Sequence, residues 1–561
     1  MNGISGIIFL DSKKEYFFNQ EKLIKELKMR GSNVEKYEDA KNISFSASQE
    51  NEENIFSDNN FLINLSGRID NRDELIRSFK FDKSVSDQEL IVLGYQKKGE
   101  EIFKKLVGAF SFLIFDKEKK EFLAVRDHIG MKPFYYSFSD GHFIYGTEPR
   151  FIFLISQKKK ILNQDKLVDS ILRTERSYEK TFYEGIYRLE RGEFLKSKHK
   201  KIEKFRYHEF KTPDYLEYER EEDCFEDFRN LFTKIIEEQS SGIDIIGSNL
   251  SGGLDSTSVT RVLADLNKNT GNKKKIFSYS FKFTDLNKNQ FKTTDEINYV
   301  KDAVELGGLN SRIIEIPKDN YVQQLLDCQK NFPSPNLQGN RYLELFMIDN
   351  LKKDGVKTVL TGFDGDCTVS SGTELIQILL RQFRFYGALK LNSQMRKNLG
   401  FKDNSLRILY SYVLLRLMPS KLHFFLRRAR GFDSLDFQFK YFNKNFKNEI
   451  DLFRLHQQKR KGMYDIKNGH RDLLNSRHFQ NAFESLDIDY SYNGIEERHP
   501  FFDKRLMEFC LRLHPNLKLK NGITRYVLRE SLKENLPKSV KNRMRKSNLS
   551  PYFFYSAKKK Y

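Results

Sequence analysis

The chain has 561 residues, 39% hydrophobic and 31% charged, with 50 Phe, no Trp and a formal net charge of +20, enough for about two to four domains. The basic excess admits an acidic substrate, an anionic membrane face or nucleic acid, or is Lys-rich composition alone. Four widely spaced cysteines with no CxxC argue against zinc and disulfide scaffolds, and with no apolar run of membrane-spanning length and no basic leader at Met1 the expectation is a cytoplasmic protein.

The first 210 residues carry short strand-like runs at Ile4 to Leu10, Phe61 to Leu65, Ala109 to Phe115, Phe122 to Val125, Phe134 to Tyr136 and His142 to Tyr145. Helical periodicity is confined to Gln20 to Met29 and Gln88 to Lys97. Many strands with few helices suggest stacked antiparallel sheets. Polar groups concentrate in two loops, Asn64 to Asn71 and Arg126 to Tyr136.

The run Ile243 to Ile246 leads into Gly247-Ser248-Asn249-Leu250-Ser251-Gly252-Gly253-Leu254-Asp255-Ser256, and Val259, Val262, Leu263 and Leu266 follow at helical spacing. Strand, glycine turn and helix together make an anion site: glycines admit close approach, and successive N–H groups with the helix N-terminus face the ligand. Ser251 and Ser256 add hydroxyl donors. Asp255 belongs beside an anion only if a cation lies between them, so the implied ligand is a phosphate with Mg²⁺. No Lys follows the last Gly, so this is not a Walker A loop. Further on, Ile276 to Phe281, Ser311 to Ile316 and Thr358 to Leu360 read as buried strands, with a helix from Thr294 to about Leu306. Alternating strand and helix predicts a parallel sheet covered on both faces.

The Ser251 loop resembles the SGGxDS pyrophosphate loop of ATP pyrophosphatases. Ser66 to Asn71, Ser86 to Glu89, Leu106 to Phe112 and Arg126 to Gly130 resemble, in order, the glutaminase domain of the asparagine synthetase family. The likeness continues through Thr361-Gly362-Phe363-Asp364-Gly365-Asp366, Glu496 to Leu506, Gly522 to Arg529 and Asn542 to Lys546. It implies a four-layer N-terminal-nucleophile-type domain over 1–210 and an α/β ATP-pyrophosphatase domain with a doubly wound parallel sheet over 220–561. It further implies ATP and Mg²⁺ as cofactors, an acyl-AMP intermediate and release of pyrophosphate. By the same resemblance Leu250, Ser251, Gly252, Gly253, Asp255, Ser256 and Gly362 bind ATP and pyrophosphate, and Asp255 and Asp366 hold the metal. Lys546, or alternatively Arg545, offsets developing negative charge.

Three departures shape the functional expectation. The family's glutaminase needs Cys after the initiator Met, and position 2 here is Asn. Arg68 replaces the acid that holds the glutamine amine, although Asp87 matches the other. Phe363 stands where asparagine synthetases carry Glu. The relatives sharing such losses are lasso-peptide cyclases and β-lactam synthetase. In the latter a Glu nineteen residues before the Asp of a Pro-aromatic-aromatic-Asp motif acts as base, which here falls on Glu484 before Asp503. The expected activity is therefore ATP-dependent ligation of a carboxylate to a substrate-borne amine, possible partners being a precursor peptide with a peptidase. Nucleic acid is not expected. The alternatives are ammonia-dependent asparagine synthesis and an inactive relative. An insert at 373–472 is expected to be helical. Residues 381–430 hold twelve Lys or Arg and one acid, Asp403, suiting either basic helices packed on the core or a face for an acidic peptide or a membrane.

Overall fold

The computed structural model describes residues 3–10, 17–39, 42–49, 53–139, 141–172, 177–211, 214–269, 271, 274–283, 296–316, 326, 341–400, 418–429, 468–476 and 478–545. Lys546, Asn2, Thr294 and most of the 373–472 insert lie outside them.

The first half contributes twelve described strands: β1 (Gly3–Phe9), β2 (Asn33–Glu38), β3 (Ile43–Ser48), β4 (Ile55–Ser57), β5 (Phe61–Ile69), β6 (Gly108–Asp116), β7 (Glu121–Arg126), β8 (Tyr135–Ser139), β9 (His142–Gly146), β10 (Tyr187–Arg188), β11 (Glu193–Lys198) and β12 (Lys201–Arg206). They form two antiparallel sheets, ordered β10-β8-β9-β1-β3-β2 and β12-β11-β7-β6-β5-β4. The sheets face each other across an apolar layer in which Phe122 of β7 stacks on Phe143 of β9 at 4.1 Å between ring centroids. The Gln20–Leu27 and Pro149–Ser156 helices cover the outer face of the first sheet through Leu23, Leu27, Phe151 and Ile155. Helices Arg72–Phe79 and Asp87–Lys98 cover the second through Leu75, Ile76, Leu90 and Ile91. Helix, sheet, sheet, helix is the four-layer arrangement the sequence led us to expect.

The second half is built on β13 (Ile245–Asn249), β14 (Lys275–Phe283), β15 (Asn310–Ile316), β16 (Thr358–Leu360) and β17 (Glu496–Arg498), ordered β15-β14-β13-β16-β17 with every pair parallel. One face packs on the Glu221–Ser240 and Leu254–Asn269 helices through Phe228, Phe232, Val259 and Val262. The other packs on Arg341–Lys353 and His478–Ser491 through Met347, Leu351, Leu486 and Tyr490. The chain leaves β13 toward β14 on one side and returns to β16 on the other. In such sheets the crevice beyond the carboxyl ends of the strands at this reversal receives the ligand.

The halves are joined by buried charges. The His478–Ser491 helix inserts Asp487 between Arg30 (2.8 Å) and Lys132 (3.0 Å), and Arg30 also holds Glu148 at 2.5 Å. Arg68 of β5 reaches Glu496 of β17 at 2.6 Å.

Candidate active site

The two strands at the reversal each run into a glycine loop. After β13, the Leu250 N–H donates to the Tyr279 carbonyl at 2.8 Å, holding the start of the first loop to β14. The hydroxyls of Ser251 and Ser256 lie 2.9 Å apart, and Ser256 Oγ also accepts from the Ser251 N–H at 3.1 Å. The Gly253 N–H donates to Ser251 Oγ at 3.3 Å. The loop is thus curled on itself as the Leu254–Asn269 helix begins, with backbone donors beside that helix N-terminus. Gly252 has φ +74°, and a side chain there would meet Tyr299 and the Glu296 carbonyl.

After β16, the chain passes through Thr361 and Gly362 to Asp364, whose φ of 44° turns it sharply before Gly365 and Asp366. The two loops touch. A Cβ on Gly362 would collide with the backbone of Asp255 and Ser256, and one on Gly365 would lie 3.0 Å from the Asp255 Cβ. Gly362 is therefore a packing residue between the loops. Ligand atoms of Asp364, Asp366 and Cys367 lie within 4.8 Å of one another. Carboxylate oxygens of Asp364 and Asp366 are the hard donors Mg²⁺ prefers, so this pair fits that ion, whereas Asp255, expected to share it, is not in the cluster. Cys367 adds nothing for it.

Two arginines not singled out by the sequence reading complete the loop. Arg525 donates through Nη1 to both Asp255 oxygens, at 2.6 and 2.7 Å, with only 9% and 11% of the two side chains exposed. The charge expected of a metal at Asp255 is met in this conformation by a guanidinium. Arg543 donates to the Gly252 carbonyl at 3.0 Å, pairs with Glu296 at 2.7 Å and lies 4.2 Å over the Tyr299 ring. Arg529, whose pKa falls to about 10 through burial and the neighbouring Arg525, binds the carbonyls of Lys541 and Arg543 and so anchors the segment carrying Arg543. Arg545, the alternative catalytic cation, points elsewhere: its guanidinium donates to the carbonyls of Leu399 and Gly400, the latter at 2.8 Å. The periodicity around Gly522 to Lys546 gave no sign of which basic side chain reaches the loop, because that depends on where β13 lies in space.

Phe363 packs among Phe483, His499 and Phe502 with centroids 5.6 to 5.8 Å away. Glu484, the neighbour of Phe483, does not join this box. Its carboxylate accepts from Arg126 at 3.0 Å and Tyr135 at 2.7 Å, and pairs with Arg188 at 3.0 Å, all from the first half. This corrects its expected placement as a free base: two guanidiniums and a phenol occupy both oxygens, and the helix turns that face away from Phe363. Beside the box lies a small cavity of about 20 Å³ lined by Lys132, Asp487, Glu497 and His499 among others. Burial lowers the His499 pKa to about 3, aided by Arg68 and Lys132, so the imidazole is neutral, with Nδ1 2.7 Å from the Thr361 hydroxyl. Glu497 is pushed well up, first by burial and then by Glu344, which itself rises to about 7 mainly through burial. The Tyr490 hydroxyl donates to Glu344 at 2.7 Å between them.

A second polar pocket lies beside Arg68. A cavity of about 440 Å³ between the halves is lined by Arg68, Arg72, Asp87, Glu496 and Arg498 among others. Asp87 is taken up by Arg72 at 2.6 Å and the Ile69 N–H at 2.9 Å. Arg68 is neutralised by Asp70 and Glu496 at 2.7 and 2.6 Å.

Comparison with known proteins agrees with this geometry. The asparagine synthase family matches residues 227–560 and the glutamine amidotransferase domain residues 1–208. The amidase chyE of Penicillium rubens is 22% identical over 515 residues, covering 86% of this chain and 75% of that one. The amidase chry2 of Gibberella zeae is 21% identical over 517 residues, with 86% and 75% covered. The glutamine-hydrolysing asparagine synthetase 1 of Bacillus subtilis is 22% identical over 512 residues, covering 87% and 75%. With its parallel sheet, touching glycine loops and stacked antiparallel sheets in the matching order, the chain belongs to the asparagine synthase family of carbon–nitrogen ligases, which form AMP and pyrophosphate.

Proposed function

We propose that this ligase adenylates a substrate carboxylate and transfers the acyl group to an amine carried by a substrate, as a peptide macrocyclase or natural-product amide synthetase. A carboxylate oxygen attacks the α-phosphorus of ATP and pyrophosphate leaves. The amine nitrogen then attacks the acyl carbon, the amide forms, AMP departs and the amine gives up a proton. The loop N–H groups and the hydroxyls of Ser251 and Ser256 hold the pyrophosphate. Asp366 and the adjacent Asp364 would hold Mg²⁺, which neutralises phosphate charge when bound. Arg543 supplies positive charge at the loop. Lys546 remains the candidate cation for the developing acyl-phosphate charge.

One observation carries this reading. The two nucleotide loops are packed together, with Asp364 and Asp366 side by side, while position 2 is Asn and the charge of Arg68 is taken up by Asp70 and Glu496. ATP–pyrophosphate exchange with candidate precursor peptides tests it. Peptide-dependent exchange and loss of water from the product are expected; exchange with aspartate and amide formation from free ammonia alone would establish the asparagine synthetase reading instead.

A further inference from the structure

The Glu374–Arg381 helix ends in a turn whose chemistry the active site does not use. The Phe383 N–H donates to the Leu380 carbonyl at 3.2 Å and the Arg384 N–H to the Leu379 carbonyl at 2.9 Å. This double bond pattern is the Schellman termination, and the residue at its left-handed position is ordinarily Gly, which alone escapes the Cβ penalty. Here that residue is Phe383, with φ +57° and 81% of its surface exposed. An aromatic ring at that backbone costs stability, and exposure means the chain recovers little of it by packing.

Two more rings stand beside it. Tyr386 is 79% exposed and Phe385 49%, and the Phe383 and Phe385 rings meet edge to face at 6.2 Å. Every residue from 381 to 386 is exposed, so the rings project from a turn instead of lining a cleft. Arg381 and Arg384 flank them, and neither makes an ion pair among the described residues. From 375 to 402 the sequence carries six Lys or Arg and no acid. On the Ser420–Ala429 helix of the same insert, Phe425 and Leu422 are 74% and 50% exposed.

We propose that the 381–386 turn is a contact site for an anionic lipid surface. Exposed aromatic side chains enter the boundary between headgroups and acyl chains, and guanidiniums beside them meet lipid phosphates. A projecting, acid-free turn complements a broad, deformable, negatively charged face. An acidic peptide, the competing partner, would need walls around its apolar side chains, and this turn has none.

Co-sedimentation of the full chain with phosphatidylcholine vesicles, with and without phosphatidylglycerol, tests the proposal. Binding to the anionic vesicles is expected, weakened by salt, and reduced roughly tenfold by combined Phe383→Ser, Phe385→Ser and Tyr386→Ser. Unchanged ATP–pyrophosphate exchange and melting temperature would show that the variant is folded. Because the chain has no Trp, Phe383→Trp gives a single reporter whose emission should shift to the blue and be quenched by brominated lipids. No anionic-vesicle binding, binding unaffected by the triple substitution, a Trp reporter that stays in water, or binding to polyglutamate without binding to vesicles would each overturn it.

Discussion

At the glycine loop after β13, charge is placed by contacts that sequence order hides. Arg543 and Arg545 are two residues apart, yet one guanidinium meets the loop carbonyl of Gly252 and the other meets carbonyls at 399 and 400. Removing a cation aimed at developing negative charge costs about two orders of magnitude. Arg543→Ala should therefore lower ATP–pyrophosphate exchange roughly 100-fold, while Arg545→Ala should leave it within about threefold; initial exchange rates at saturating ATP compare the two. Glu344 offers a test by pH. Its pKa is raised to about 7, mainly by burial, so the folded state keeps a proton that the unfolded chain releases above about pH 4.3. Its contribution is fully present below that pH and is lost as pH rises toward 7. Glu344→Gln should then gain on the parent between those values, on the order of 1 kcal/mol after screening, and the gain should vanish at low pH. Melting temperatures across that range check the sign. The turn from Ser251 to Ser256 was legible from sequence because glycines between an apolar run and a helical period mark a sharp strand-to-helix turn. Arg525 and Arg543 were not, because their partners lie about 270 and 290 positions away.

Among the elements, the His478–Ser491 helix has the most to do. Glu484 bonds two arginines and a tyrosine of the first half, and Asp487 bonds an arginine and a lysine. Breaking a buried ion pair from one side strands the other partner, at about 3 kcal/mol. Glu484→Gln should lower the melting temperature by several degrees while folded protein keeps its ATP–pyrophosphate exchange, since exchange precedes amine attack. A loss of product formation out of proportion to stability would restore the base assignment. The strongly apolar strands, β1, β6 and β16 among them, were readable from sequence. β3 was not: Ile43–Ser48 alternates serine with apolar residues, yet is buried on both faces, because it lies between β1 and β2 in the inner sheet and its serines face a packed layer. β2 is polar and half-exposed, so its assignment depends wholly on pairing with β3. The Arg72–Phe79 helix follows a loop whose turn residues masked its start.

Taken whole, the molecule is held together across its two halves by cations of the first half. Arg30, Arg68, Arg126, Lys132 and Arg188 all project from it onto acids of the second half. Burial alone would raise the pKa of Glu496 and Asp487, but Arg498 and Arg68 outweigh it for the first, and Lys132 with Arg30 for the second, so both are lowered. Such carboxylates stabilise above their unfolded pKa and lose that contribution as pH falls through the folded value. The union of the halves should accordingly hold near neutrality and weaken in acid, below the ordinary carboxylate range. Residues 220–561 expressed alone would expose these acids and the apolar faces beside them. That fragment should aggregate or bind a hydrophobic dye, and coexpression with 1–210 should rescue it; a monodisperse, exchange-competent fragment would refute this.

Gly362 and the backbone of Asp255 and Ser256 meet with no room between them. A single methyl group there acts as a wedge. Gly362→Ala should silence adenylation while leaving every formal charge, every hydroxyl and the outer surface of the protein untouched. It would thereby furnish an inert twin of the enzyme, suited to capturing whatever substrate docks before the first bond is made.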